Sequence, residues 1–247
     1  GKVEIAPEAA AAARLLAAQA WEERRTRLAT YKPVLGVGTF LQLLLGIATL
    51  VSIYAVWLDV AYRNALTGFM DGTVSIDDAI AVEDQWSLSG TIGILMYVIV
   101  GVVWIIWMWR LYRNVEAFGR ERKHSIHWCI WGWVIPIGSL WIPRMVTGDI
   151  WVKSDPDFSR PPSERIPWII NLWWGLFLVS VVIGRGLGFS EPEDIDGWID
   201  LASTYTWIDS FAVILAVVSV FMVRSLTDRQ SATHEAVQVD LRSTMPM

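Results

Sequence analysis

Four sets of residues have the types and spacing to do chemistry. His124-x-x-His127-x-Cys129 puts two imidazoles three residues apart, on one face of a helix, with a thiol two residues on. That is three of the four donors a tetrahedral zinc ion takes, and no fourth is apparent. Asp209 is a carboxylate inside an otherwise apolar run, where a charge costs about 2.5–3.5 kcal/mol at a membrane helix centre and less toward its ends. It calls for a partner: Arg185 is the first candidate for a buried ion pair and Arg63 the second. Unpaired, such an acid could serve proton- or cation-coupled transport. Arg110, Arg113 and Asn114 cluster at the end of another apolar run, where a guanidinium either snorkels to headgroups or caps freed backbone carbonyls. His127, Asp149 and Asp155 could line an acid–base site for a lipid-soluble substrate. There is no Gly-rich phosphate loop, no GxSxG elbow and no HExxH pair, and Ser139 and Ser180 have no base beside them. No catalytic set, metal site or cofactor is therefore assigned.

The elements that must position these residues follow from hydropathy. The chain has 247 residues, of which 54% are hydrophobic and 18% charged. Charges are missing from Pro33 to Leu58, Gln85 to Trp109 and Ile166 to Gly184, runs of 26, 25 and 19 residues. About 20 apolar residues at 1.5 Å each cross a hydrocarbon core roughly 30 Å thick. The expected fold is an all-α membrane protein with four transmembrane helices, at about 33–58, 87–109, 166–187 and 201–223. Residues 1–32 are expected as a cytoplasmic or membrane-surface amphipathic helix, touching lipid through Leu15, Leu16, Ala18 and Trp21. Ser75 and Asp78 form a capping box that starts a short helix near Ile76. Residues 33–227 are the membrane domain, and 228–247 a flexible cytoplasmic tail. One cysteine excludes an internal disulfide and a four-thiolate iron–sulfur cluster, and a net charge of −5 argues against nucleic acid as a partner. Residues 1–20 show no basic region followed by an apolar one, so no signal peptide is expected.

One stretch is ambiguous. Residues 125–143 are uncharged and long enough to span, yet Gly132, Pro136, Gly138 and Pro143 interrupt a regular helix. Charge decides whether they cross. If they do not, 18 of the 20 Lys and Arg fall on one side and only Arg63 and Arg185 on the other. If they do, the split is 12 to 8. The positive-inside rule selects the first arrangement, with both termini cytoplasmic. Residues 125–143 are then a broken element, re-entrant or interfacial. Re-entrant backbone must be covered by protein or face water, because lipid cannot hydrogen-bond it. Arg110 and Asn114 are the expected caps for carbonyls freed by Pro136 and Pro143; an anionic-lipid site completed by Arg144 is the alternative.

Tryptophan is the compositional outlier: eleven of sixteen lie between Trp104 and Trp174. Trp128, Trp131, Trp133 and Trp141 fall within the broken element itself. They form either an aromatic belt with local packing or a pocket for a lipid tail, a quinone-like ring or a partner helix.

Trp107-x-x-Arg110-x-x-x-Asn114, a basic linker, Trp133-x-Ile135-Pro136, Trp141-x-Pro143 and Asp149-Ile150-Trp151 together resemble the bacterial family called domain of unknown function 4328. The Trp173–Trp174 pair resembles it as well. The resemblance runs over about residues 40–225, and residues 1–32 look like an addition to the family core. It implies a multi-pass protein of the bacterial plasma membrane and brings no reaction with it. The residues then lead to a non-enzymatic accessory or scaffold subunit. Its partners would be membrane lipids and another membrane protein or a second copy. Arg110, Arg113, Asn114, Trp128, Trp131, Trp133, Pro136, Trp141 and Arg144 are the candidate binding residues. A small transporter or channel using Asp209 and the broken element is the alternative.

Overall fold

A computed structural model describes residues 7–186 and 192–245. It is all-helical, with seven α-helices and no strand among the described residues: α1 (Pro7–Leu28), α2 (Leu35–Met70), α3 (Ile76–Ala117), α4 (Trp128–Val134), α5 (Ile142–Lys153), α6 (Trp168–Gly186) and α7 (Ile195–Ser243). A 3₁₀ turn, Gly138–Leu140, joins α4 to α5. Three helices, α2, α3 and α7, are long and apolar enough to cross a membrane. They have 36, 42 and 49 residues, well beyond the roughly 20 that a bilayer requires.

The helices outrun the apolar runs because nothing stops them. Ser75 caps α3: Asp78 N–H donates to its Oγ at 3.2 Å, and its hydroxyl donates to the Asp78 carboxylate at 2.7 Å. No proline follows before Ala117, so the short helix expected at Ile76 and the second span are one helix. α7 likewise contains neither Gly nor Pro after Gly197. The flexible tail expected from 228 is therefore corrected: it is helical to Ser243. Its composition is polar, but Leu226, Gln230, Thr233, Val237 and Leu241 recur at helical spacing, and all but the half-buried Val237 are buried. α1 also differs from expectation, since it has no apolar stripe. Leu15 and Leu16 are exposed, whereas Trp21 turns to α7 and donates its indole N–H to Leu241 O at 2.8 Å. Ala-rich composition and the pairs Arg25–Glu22 and Arg27–Glu23 sustain the helix instead.

Two compact units cut across the sequential division expected from hydropathy. Unit 1 comprises Gly1–Val37, Ile105–Ile166 and Ser225–Met247; unit 2 comprises Gly38–Trp104 and Pro167–Arg224. The core of unit 1 is built on Val34, Trp107, Met108, Leu111, Tyr112, Val146, Ile150 and Leu226, that of unit 2 on Leu41, Leu58, Tyr62, Ile170, Trp173 and Met222. In unit 1, α3 ends on a Schellman motif: Gly119 at φ 75° donates to Glu116 O, and Arg120 N–H to Val115 O.

The broken element is a tight hairpin. α4 stops at Ile135, whose extended backbone (ψ 116°) is what a following proline demands. α5 restarts with Pro143 in its first turn. Gly132 lets the two helices touch, because a Cβ there would stand 2.7 Å from Ile142 Cγ2. Gly132→Ala should therefore destabilise the protein by about 1–3 kcal/mol through overpacking. In a double-mutant cycle with Ile142→Ala, read by thermal unfolding in detergent, the two costs should be non-additive; additive costs would show that this contact does not set the hairpin.

Candidate functional site

In unit 1 one of the residues singled out at the end of α3, Asn114, takes part in a buried polar junction. Asn114 is fully buried. Its side chain pairs with both backbone groups of Lys32: Oδ1 accepts from Lys32 N–H at 2.9 Å and Nδ2 donates to Lys32 O at 2.8 Å. Nδ2 also donates to Gln230 Oε1 at 3.1 Å. Gln230 Nε2 donates to Leu111 O at 2.7 Å and to Ser154 Oγ at 3.1 Å. One carboxamide on α7 thus joins α3, the α1–α2 linker and the end of α5. Arg110 is exposed and donates to Pro33 O at 3.3 Å, and Arg113 is exposed. The expected role of Arg110 and Asn114 as caps for the broken element is corrected, since both serve the 32–33 linker. Within the hairpin, Ser139 Oγ donates to Pro136 O and Thr147 Oγ1 to Pro143 O, each at 2.7 Å.

The C-terminal carbonyls of α5 are capped from two other segments. Arg229 donates to Trp151 O at 3.0 Å, Arg120 to Lys153 O at 2.8 Å and Thr233 to Ser154 O at 2.8 Å. These are groups that a helix cannot satisfy internally. Arg229 also lies over the Trp151 ring at 4.2 Å and 3.5 Å from the Asp155 carboxylate. Burial alone would raise the Asp155 pKa, but N–H donors of Asp157 and Ser163 and the nearby Arg229 and Arg160 outweigh it, so the carboxyl sits below its ordinary value. Asp157 is pushed down to about 2 by hydrogen bonds from Ser159 and Arg160. Burial raises the Tyr31 phenol, which stacks on His234 at 3.9 Å. Arg120 is lowered by burial and by repulsion from Arg229, with Asp155 acting in the opposite sense.

The acid–base set does not assemble as a reactive group. Asp149 accepts from Tyr112 Oη and from Lys123 N–H, both at 2.8 Å, Asp155 is engaged as above, and His127 is exposed. Among the described residues no group of three or more His, Cys, Asp or Glu converges to hold a metal ion. Cys129 is buried, with Sγ 3.9 Å from Met108 O.

The hairpin collects the aromatic candidates. Trp128 and Trp133 are half-buried, as is Arg144 on α5. Trp131, Val134, Ile135, Ile137 and Trp141 are exposed by 40–66%. Pro136 lies among them, also exposed.

In unit 2, Asp209 is half-buried and makes no ion pair among the described residues, with Arg63 or any other base. The Arg185 side chain lies outside the described residues. Asp209 is within electrostatic reach of Asp59. The first span was expected to end at Leu58; the structure carries the helix on, so Asp59 lies inside α2, 2% exposed, accepting from the Trp86 indole N–H at 2.8 Å. Its Oδ2 is buried with no hydrogen-bond partner among the described residues. Trp86 stacks on Tyr62 at 4.7 Å and meets Trp198 and Tyr205 edge-on. Asp59 and Gln230 are the residues that sequence reasoning missed. For Gln230 the signal was the helical spacing of 226, 230, 233, 237 and 241.

The comparisons agree with the resemblance. The family described as Domain of unknown function (DUF4328) matches residues 71–228, and the chain belongs to it. The match starts later than the resemblance did and leaves α1 and α2 outside. No curated protein and no solved structure matches the chain. Gln230→Leu would strip α3 and the end of α5 of a shared partner and leave the buried Asn114 amide and Leu111 carbonyl without it. A loss of about 2–4 kcal/mol is expected, read as a lower unfolding midpoint in detergent. An unchanged midpoint would show that the junction contributes nothing to stability.

Proposed function

We propose, with membership of this family as the premise, that the chain is a multi-pass protein of the bacterial plasma membrane. It acts without catalysis, as an accessory or scaffold subunit that binds a partner membrane protein or lipid. Four helices cross: α2, α3, α7 and the 19-residue α6. Both termini are cytoplasmic. Two things support this topology. Charge places the segments before the first span, after the second, before the third and after the last on one side. Those same segments, Gly1–Val37, Ile105–Ile166 and Ser225–Met247, gather in unit 1. Residues 125–143 fall inside the middle one, so the path needs no crossing there. The hairpin is interfacial: at about 1.5 Å per residue the seven-residue α4 is roughly 10 Å long, a third of the hydrocarbon thickness.

The observation that carries the scaffold reading is the apolar ridge on this hairpin. Trp131, Val134, Ile135, Ile137 and Trp141 stand exposed in the unit that also holds most of the basic side chains. A contiguous exposed apolar patch of this kind marks a protein or membrane contact. The buried polar side chains of the unit are meanwhile engaged in holding backbone. Native mass spectrometry of the protein taken gently from its own membrane should find a stoichiometric second protein or a retained lipid. The Ile137→Glu/Trp141→Glu double variant should lose it while keeping its helical content. A wild-type chain that emerges with neither would overturn the reading.

A second reading, a small transporter or channel, is favoured by one observation: the buried Asp59 carboxylate beside Asp209 on helices of unit 2. It predicts ion or solute flux in proteoliposomes that falls at least about tenfold in Asp209→Asn and in Asp59→Asn, since both carboxylates belong to the path. Flux unchanged in both variants would remove it.

A further inference from the structure

Unit 1 holds a cleft of about 310 Å³ whose lining includes Arg24, Arg27, Phe118, Gly119, Arg120 and Phe158. Three guanidiniums reach it from two directions, two from α1 and one from the segment after α3. Among the lining residues that is three positive charges, in a chain whose net charge is −5. Asp240 is the one carboxylate among the lining residues, and Arg24 Nη1 holds it at 2.9 Å. Each guanidinium commits a single nitrogen among the described residues: Arg24 Nη1 to Asp240, Arg27 Nη2 to Glu23 at 3.4 Å, and Arg120 Nη1 to Lys153 O at 2.8 Å. Arginine has five N–H donors in a planar fork, so most of this donor capacity remains.

The cleft is built around those groups. Arg120 is anchored at one nitrogen and lies over the Phe158 ring at 4.4 Å, which fixes the plane of its guanidinium. Trp21 pins α1 to the end of α7 through its hydrogen bond to Leu241 O, so Arg24 and Arg27 are not on a loose arm. Gly119 sits at φ 75°, and a Cβ there would stand 3.8 Å from Arg27 Nη1, so the helix end and the α1 guanidinium approach without a side chain between them. The existing ion pairs are weak competitors. Arg24 and Asp240 are about half exposed, as are Arg27 and Glu23, and pairs of that kind contribute about 0–1 kcal/mol. A phosphate offers more charge and more acceptor oxygens than either carboxylate, in the geometry that arginine forks match.

We propose that this cleft is a phosphate-binding site, formed by Arg24, Arg27 and Arg120 against the walls of Phe118 and Phe158. The phosphate comes either from a soluble phosphorylated molecule or from an anionic lipid headgroup. Gly119, Arg120 and Phe158 lie within the family match, whereas Arg24, Arg27 and Asp240 lie outside it. The segments flanking the family domain therefore complete the site. The proposal uses no residue of the hairpin ridge and stands independently of the scaffold reading.

The test uses the full chain in phosphatidylcholine nanodiscs. Inorganic pyrophosphate, followed by calorimetry, probes the soluble source. Nanodiscs containing phosphatidylglycerol, followed by native mass spectrometry of retained lipid, probe the other. Saturable binding of either probe is expected, weakened about tenfold or more by Arg27→Glu and kept within a few-fold by Arg27→Lys, because the site reads charge. Arg24→Gln, at an equally exposed position, should weaken the same probe. Pyrophosphate heat identifies a soluble ligand; lipid retention without it identifies a headgroup. If neither probe binds, or if Arg27→Glu and Arg24→Gln bind it as wild type does, the proposal is overturned.

Discussion

Gln230 stands at the centre of unit 1, and what it touches explains most of the unit's organisation. Its carboxamide joins Leu111 on α3, Ser154 at the end of α5 and Asn114, which in turn grips the backbone of Lys32. A buried amide left unpaired costs about 1–3 kcal/mol, so these contacts are made together or not at all. They bind four stretches of chain that lie up to two hundred residues apart. Around this hub, Arg120, Arg229 and Thr233 cap the last carbonyls of α5. Apolar packing on Trp107, Tyr112, Ile150 and Leu226 supplies the mass of the core, but non-directional burial does not choose a register. The hydrogen bonds do.

The hairpin at 128–153 applies the same constraint differently. Proline at 136 removes a donor and forces Ile135 into an extended conformation, so carbonyls must find partners outside a regular helix. The Ser139 hydroxyl donates to Pro136 O and the Thr147 hydroxyl to Pro143 O, while Arg229 and Arg120 cap the end of α5 from other segments. These contacts use none of the exposed apolar side chains of the hairpin. Trp131, Ile137 and Trp141 stay exposed, and that is the surface on which the proposed scaffold role rests.

The family domain does not account for the whole of unit 1. Its match ends at residue 228, just before Arg229, Gln230 and Thr233, and begins after α1 and α2. The polar hub and the arginine cleft both draw on residues beyond those limits. Flanking helices that dock through specific polar contacts, rather than trailing as tails, are a way for one membrane core to acquire a ligand or partner of its own.

The sequence by itself determined the all-helical class, the apolar runs, the helix start at Ser75 and the family. Each of these rests on local signals: hydropathy over about 20 residues, a capping pair, and a spaced Trp/Arg/Asn and Pro/Trp/Pro pattern. It located the helix breaks at Pro136 and Pro143, because proline acts on its own backbone. It did not reveal what Asn114 and Arg110 hold, since a buried amide's partner is fixed by packing between distant segments and leaves no trace in spacing. The tail misled for a related reason. Residues 228–243 are polar enough to read as disordered, and only a surface lined by Leu111, Ser154 and Trp21 makes their buried face pay. Asp59 falls one residue past the expected first span, yet the tertiary structure buries it against Trp86, 27 positions away, and so decides that it belongs to the core of unit 2.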